Sequence, residues 1–376
     1  VLSSLGVALP VIAAPMAGGP STPALVVAAA EAGGLGFLAG GYLTPDALAA
    51  QVAEVRRRTT TFGVNLFAPH PVPVDHDAYR AYAAALAPVA SELDVPWPTP
   101  PAAPREDDDH WEAKVALLLE LAVPVVSFTF ALPDPEVLRR FREVGTLTAP
   151  TVTTPDDAVA AVGAGADVVV LQASAAGGHS ATLRPDEPLL DLTPAELVRQ
   201  VRARSEVATT PLWAAGGIAT PEAVREVREA GAEAAVVGTV LLRTPESGAS
   251  ATYRAALAAA ATHPAPTHPA STDPGPTDPA TDTLVTRAFS GRPARALRNA
   301  FTDRYDAEAP TGYPALHHLT TPLRRAAHAA GDTGTINVWA GTGHRHATER
   351  PAGEVLRTLV GATPTSPPPP TGLSAP

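Results

Sequence analysis

No cysteine occurs anywhere in the 376 residues. Disulfides, thiolate nucleophiles, iron–sulfur clusters and cysteine-based zinc sites are excluded together. Lysine is nearly as scarce, since Lys114 stands alone beside many arginines. Charged residues make up only 17%, the formal net charge is −11, and no long basic block is present. A nucleic-acid or anionic-membrane partner is therefore not expected. No apolar run is long and unbroken enough to span a bilayer, and Val1-Leu2-Ser3-Ser4 lacks the regions of a secretory signal. The expected compartment is the cytoplasm.

What is present is a rhythm. With 45% hydrophobic residues the chain can bury a large core. Short apolar runs at 11–15, 35–39, 62–67, 123–130, 147–152, 167–173, 212–216 and 234–242 read as strands. Helical stretches fall between them at 22–32, 45–58, 110–121, 134–143, 155–163, 194–204 and 221–230. Several open on Thr-Pro, as at Thr44-Pro45, Thr154-Pro155, Thr193-Pro194 and Thr220-Pro221, which supplies an N-cap and a first-turn proline. Many close on glycine, as at Gly33, Gly163 and Gly231. Continuously apolar strands alternating with helices imply a parallel sheet covered on its outer face. Eight such units suit a closed (β/α)8 barrel, with an open doubly wound sheet as the alternative.

The organisation expected is a barrel from 1–242 with 335–362 and a small α-domain at 243–334. Residues 68–109 would form an inserted rim loop, and 363–376 a disordered tail. Within 243–334, residues 246–261 read as an Ala-rich helix and 286–330 as helical. The Pro-rich stretch 262–282 reads as a loop of low complexity. His263 and His268 fall in it, and no metal is expected there.

In a barrel of this kind the active site lies at the C-terminal strand ends. Small, polar and glycine-rich residues gather there: Pro15, Met16 and Ala17, then Asn65, Gln172, Gly177 and Gly178. Gly216-Gly217 and Val237-Gly238-Thr239 end the seventh and eighth strands, beside the helix that starts after Thr220. Backbone N–H groups at such turns, next to a helix N-terminus, make a phosphate site that needs no charged side chain. The amides of Asn65 and Gln172 both donate and accept, as the edge of a heteroaromatic cofactor requires. His179 follows Gly177-Gly178 and is placed to act as a base or an anion donor. No lysine ends a strand and no carboxylate pair does, so Schiff-base, glycosidase and enolase-type chemistry are not expected. A bound cofactor must carry the reaction.

The ordered set Ala14-Pro15-Met16-Ala17-Gly18-Gly19, Gly63-Val64-Asn65-Leu66, Val126–Phe130, Ala176-Gly177-Gly178-His179, Ala215-Gly216-Gly217-Ile218, Val237-Gly238-Thr239, Thr286–Arg295 and Trp339-Ala340-Gly341 resembles the nitronate monooxygenases. The resemblance implies a TIM barrel with non-covalent FMN, held through Pro15, Met16, Ala17, Asn65, Gln172, Gly177, Gly178, Gly216, Gly217, Val237, Gly238 and Thr239. It implies metal-free oxidation of alkyl nitronates of the propionate 3-nitronate type by O2, with His179 as base or nitronate-binding group. It leaves a homodimer open. Ala175 and Ser180 stand where many members carry an acid and an arginine, and Thr342 stands where glutamine is common. These departures leave the cofactor contacts in place and bear on the substrate.

Three other functions remain open at this stage. An FMN- and NADH-dependent enoyl-acyl carrier protein or quinone reductase would use the same scaffold. A flavin-free isomerase or synthase barrel would hold a phosphorylated substrate in the glycine site. A non-catalytic flavin-binding protein would show no turnover at all.

Overall fold

The computed structural model describes residues 1–70, 72–262 and 282–362. The Pro-rich stretch with His263 and His268, and the expected tail, lie outside those residues. Strands β1 (Val11–Ala13), β2 (Leu35–Ala39), β3 (Gly63–Phe67), β4 (Val125–Thr129), β5 (Leu147–Val152) and β6 (Val169–Gln172) run parallel in sequence order. A two-residue strand, β7 (Gly178–His179), stands apart from them. β8 (Leu212–Ala215) and β9 (Ala234–Val237) then close the barrel, with Val11 of β1 in register with Ala235. All eight wall strands are parallel, as in a TIM barrel.

Apart from two within residues 68–109, the helices between them form where the local signals put them. They are α1 (Pro23–Glu31) and α2 (Pro45–Arg56), then α3 (His76–Ala85), α4 (Ala87–Glu92) and α5 (Trp111–Leu121). α6 (Pro135–Glu143), α7 (Pro155–Gly163), α8 (Pro194–Arg202) and α9 (Pro221–Glu229) follow. Thr22, Thr44, Thr154, Thr193 and Thr220 each accept a first-turn N–H through the side chain, ahead of a proline. Each cap satisfies a donor the helix cannot pair internally. Inside the barrel Ile12, Phe37, Val125, Ala149, Val170 and Trp213 pack together, so it is a filled core. Among the described residues no helix is long and apolar enough to cross a membrane.

Several strands are shorter than expected at the C-terminal end. The run 234–242 leaves the ladder at Val237 and turns into a 3-10 helix, Thr239–Leu241. Gly238, at φ −122 and ψ −67, makes that break.

The later segment departs further from the helical expectation. Helix α10 (Ala251–Thr262) starts five residues later than position 246, because the preceding turn is tied to the loop after β1. Gly248 N–H donates to the Pro20 carbonyl (3.2 Å), and Thr22 Oγ1 donates to the Glu246 carbonyl (2.6 Å). Residues 283–297 form a hairpin, β10 (Thr283–Thr286) and β11 (Ala294–Leu297), whose second strand pairs with β7. The helical parts described there are α11 (Ala300–Tyr305), a 3-10 turn at Asp306–Glu308 and α12 (Ala315–Ala330). The hairpin is decided by a partner more than a hundred residues away, which no local window contains. Ile336, Val338 and Ala340 lie beside β11 rather than in the barrel wall, with Leu297 N–H on the Val338 carbonyl (2.8 Å). Helix α13 (Ala352–Leu359) then returns to the barrel exterior.

Residues 68–109, read as a rim loop, contain α3 and α4. Tyr79, Tyr82, Leu86 and Val89 pack with Phe289, Phe301, Tyr305 and Leu316. Tyr82 Oη donates to the Ala288 carbonyl at 2.6 Å, so the two segments share one core above the barrel mouth.

Candidate active site

A cavity of about 540 Å³ opens at the C-terminal strand ends. Pro15, Met16 and Ala17 form one side of its wall, and Asn65 and Gln172 reach it from β3 and β6. Gly177, Gly178, His179, Gly216, Gly217, Gly238 and Thr239 also belong to its lining. Val237 does not line it: the side chain is 1% exposed, inside the outer core. It contributes through its carbonyl, which accepts Ala14 N–H at 2.9 Å.

The glycine cradle is crowded from behind and open in front. A Cβ on Gly217 would lie 2.6 Å from Thr342 Oγ1 and 3.0 Å from Ala175 Cβ, and the residue sits at φ +68. A Cβ on Gly177 would lie 2.5 Å from the Gly341 nitrogen, so glycine alone allows that approach. Backbone N–H groups of Gly217, Ile218 and Gly238 have no partner among the described residues. They point to a ligand with acceptor oxygens, placed beside the N-terminus of α9. Thr239 Oγ1 is already engaged, accepting Gly341 N–H at 3.0 Å.

Asn65 donates through Nδ2 to Ser127 Oγ and Thr129 Oγ1, both at 3.0 Å. Gln172 clamps the chain that bears the histidine. Its Nε2 donates to the His179 carbonyl (3.2 Å) and its Oε1 accepts Ala181 N–H (2.7 Å). His179 stands inside a ring of aromatics, with centroids of Trp339, Phe130 and Tyr313 at 5.2, 5.6 and 5.7 Å. Its Nε2 lies 2.8 Å from Ser290 Oγ. Burial pushes the imidazole down to about 3, and the positive charges of Arg292 and Arg324 add to the effect. The ring is neutral at ordinary pH.

Those two arginines are the main feature that the sequence did not reveal. Arg292 is fully buried, donating to the carbonyls of Ser180 (3.5 Å), Phe130 (3.4 Å) and Thr182. Its guanidinium lies 4.4 Å above the Phe130 ring. Arg324, on α12, lines the cavity and donates to the His317 carbonyl (2.9 Å) and Thr321 Oγ1 (2.8 Å). Burial lowers both to about 10, and neither forms an ion pair with a carboxylate among the described residues. Among the described residues no Asp or Glu stands in the cavity wall. Arg345 is paired with Asp282.

The nitronate monooxygenase family model matches residues 2–361. This chain belongs to the nitronate monooxygenase family. A probable nitronate monooxygenase of Staphylococcus aureus (strain MRSA252) is 31% identical over 361 residues, covering 95% of this chain and 94% of the relative. Nitroalkane oxidase from Streptomyces ansochromogenes is 42% identical with a TM-score of 0.83, covering 96% and 97% of the two chains. FabK from Thermotoga maritima shares the fold, at a TM-score of 0.70 and 24% identity over 96% and 94%. As a nitronate monooxygenase family member the chain is an oxidoreductase of a flavin-dependent group.

Two departures from the common nitronate monooxygenase pattern meet at one place. Ala175 and Thr342 both face Gly217, and Thr342 N–H donates to the Ala175 carbonyl at 3.1 Å. Ser180 points elsewhere; it is buried, and its Oγ accepts Thr182 N–H at 3.3 Å. Tyr42, Tyr313 and His317 are further residues at the mouth that the strand-end reading omitted. A signal for part of the group existed: 317, 321 and 324 are spaced by four and three, which puts them on one face of a helix.

Burial of neutral histidines has a consequence for stability. His179 and His317 are both held below their ordinary value near 6.5. Between the folded and unfolded values the unfolded chain binds more protons, so stability rises with pH across that window. Acidification from about pH 7 to 5 is expected to lower Tm, each such histidine contributing a slope of at most about 1.4 kcal/mol per pH unit. His179→Asn should flatten the dependence in a thermal melt series; an unchanged slope would mean that His179 is not held neutral.

Proposed function

We propose that this chain oxidises alkyl nitronates of the propionate 3-nitronate type with O2, using FMN and no metal. The observation that carries this reading is a neutral His179 facing a cavity whose wall contains arginine and no carboxylate. Such a site favours a small anion. FMN fits the cradle: its phosphate would meet the unpartnered N–H groups of Gly217, Ile218 and Gly238, with Met16 and Asn65 along the ring system. When bound, the flavin supplies an electron acceptor that O2 can reoxidise.

The residues of this chain bind the nitronate, exclude water and manage one proton. Ser290 has a single hydroxyl proton and two acceptors, His179 Nε2 at 2.8 Å and the Arg292 carbonyl at 3.3 Å. When Ser290 donates to the carbonyl, Nε2 keeps its proton and Nδ1 can accept one from a neutral nitroalkane. When Ser290 donates to Nε2, Nδ1 carries the proton and can bind a nitronate oxygen. The two roles belong to different ring tautomers, so exchanging them needs a proton to pass from one ring nitrogen to the other as well as rotation of the Ser290 hydroxyl. Arg324 and Arg292 favour the anionic state in both cases, in surroundings that strengthen their effect. We also infer a division into a barrel unit, 1–242 with 335–362, and a smaller unit at 243–334, with 68–109 acting as part of the cap.

The test is the visible spectrum of the purified protein, then oxygen uptake with propionate 3-nitronate, with and without NADH. A flavin spectrum and NADH-independent uptake are expected. Bleaching by NADH without nitronate turnover would move the chain to the reductases. A colourless protein unable to take up FMN would overturn the reading.

A further inference from the structure

A second chamber, of about 950 Å³, lies against the first. Tyr42, Phe67, Phe130, His317, Thr321 and Arg325 belong to the walls of both, so the partition is made of these residues. Phe130 is buried, at 2% exposure, whereas Tyr42 keeps 37% of its surface accessible. The Tyr42 ring lies flat on the His317 imidazole, with centroids 4.2 Å apart and planes 5° from parallel. It meets Phe67 edge-on at 5.3 Å, and its hydroxyl is 3.4 Å from that of Tyr313. These contacts are separable ones, made by a side chain at a boundary.

The backbone beneath it is strained. Tyr42 sits at φ 65, a left-handed conformation that a bulky residue adopts only when held. What holds it is a relay from another part of the chain. Tyr42 N–H donates to Asp109 Oδ1 at 3.0 Å, and Asp109 Oδ2 lies 2.7 Å from Lys114 Nζ on α5. Asp109 and His110 are themselves left-handed, at φ 56 and φ 58. Lys114 is the only lysine of the chain and is 1% exposed. A buried ammonium is tolerated only when paired, so its place is set by Asp109. Neither Lys114 nor Asp109 lines the active-site cavity.

We propose that Lys114 and Asp109 are positioning residues, which hold Tyr42 as a movable partition between a substrate antechamber and the active-site cavity. The proposal rests on the nitronate reading only for the identity of the substrate. With the ring seated, the cavity is closed toward the antechamber; with the ring displaced, the two chambers join through the gap between Phe67 and His317. The ion pair biases the partition toward the seated state from outside the active-site cavity, Asp109 standing in the wall of the antechamber and Lys114 behind it.

The experiment uses the flavin-loaded protein and two readouts, iodide quenching of bound-flavin fluorescence and the kcat and KM for propionate 3-nitronate. Lys114→Met is expected to raise the quenching constant about threefold and to raise KM, while kcat stays within about twofold. The double variant Lys114→Met with Asp109→Asn removes both charges yet leaves an acceptor for Tyr42 N–H, and should return quenching toward that of the wild type. Quenching unchanged in a cooperatively folded Lys114→Met protein would overturn the proposal. Tyr42→Ala tests the partition without disturbing the ion pair: quenching must rise, and an unchanged value overturns the proposal as well. A protein that binds flavin but does not oxidise nitronates would still report on the partition through quenching, so the two readings fail separately.

Discussion

His179→Asn is expected to leave the flavin bound and to lower nitronate turnover at least about a hundredfold, the usual range for a lost acid–base group. Asparagine can occupy the same space and keep a contact to Ser290, so the ring of Trp339, Phe130 and Tyr313 has little reason to collapse. What it cannot do is exchange a proton between two ring nitrogens. The flavin should remain because its proposed contacts, the cradle glycines and Asn65, do not depend on the imidazole. The measurement is oxygen uptake at saturating propionate 3-nitronate, beside the flavin content from the visible spectrum. The loss should be larger with neutral nitroalkanes, which need a proton removed, than with preformed nitronates, which need only an anion bound. Equal turnover by the variant would remove His179 from the mechanism, and loss of flavin would make it a structural residue.

Gly217→Val is expected to weaken FMN binding about a hundredfold or more, since a non-glycine residue in the left-handed region costs roughly 1–2 kcal/mol before any crowding is counted. A β-branched side chain adds to this at φ +68, and its Cβ would lie 2.6 Å from Thr342 Oγ1. Relief requires the loop to move, and the N–H groups of Gly217 and Ile218 move with it. The proposed phosphate would then lose its donors while the barrel core, which lies below the strand ends, stays intact. Flavin titration by fluorescence quenching measures the affinity, and a thermal melt without flavin checks the fold. Wild-type affinity in a folded variant would place the phosphate somewhere else.

These two expectations differ in how far the sequence alone supports them. The cradle was legible, because a glycine pair after an apolar run and before a Thr-Pro cap is a local pattern with a local cause. The same holds for β1 to β6, β8 and β9 and for the capped helices, whose signals lie within a few neighbouring residues. His179 was legible as a position, next to Gly177 and Gly178, but its chemical state was not. That it is neutral follows from Trp339, Phe130, Tyr313, Arg292 and Arg324, contributed by separate parts of the chain.

By itself the sequence determined the barrel, the small and polar residues at its C-terminal strand ends and the lack of any cysteine. Periodicity, helix caps and glycine turns act over a few residues, so they survive in a linear reading. Only the tertiary structure decided that 283–297 forms a hairpin on β7, that α3 and α4 share a core with α11 and α12, and that Arg324 reaches the mouth. It also decided that Lys114, scarce but unremarked in its place, stands behind Tyr42 through Asp109. Pairing, burial and uncompensated charge are relations between distant segments, and their energies exist only once the chain has brought those segments together.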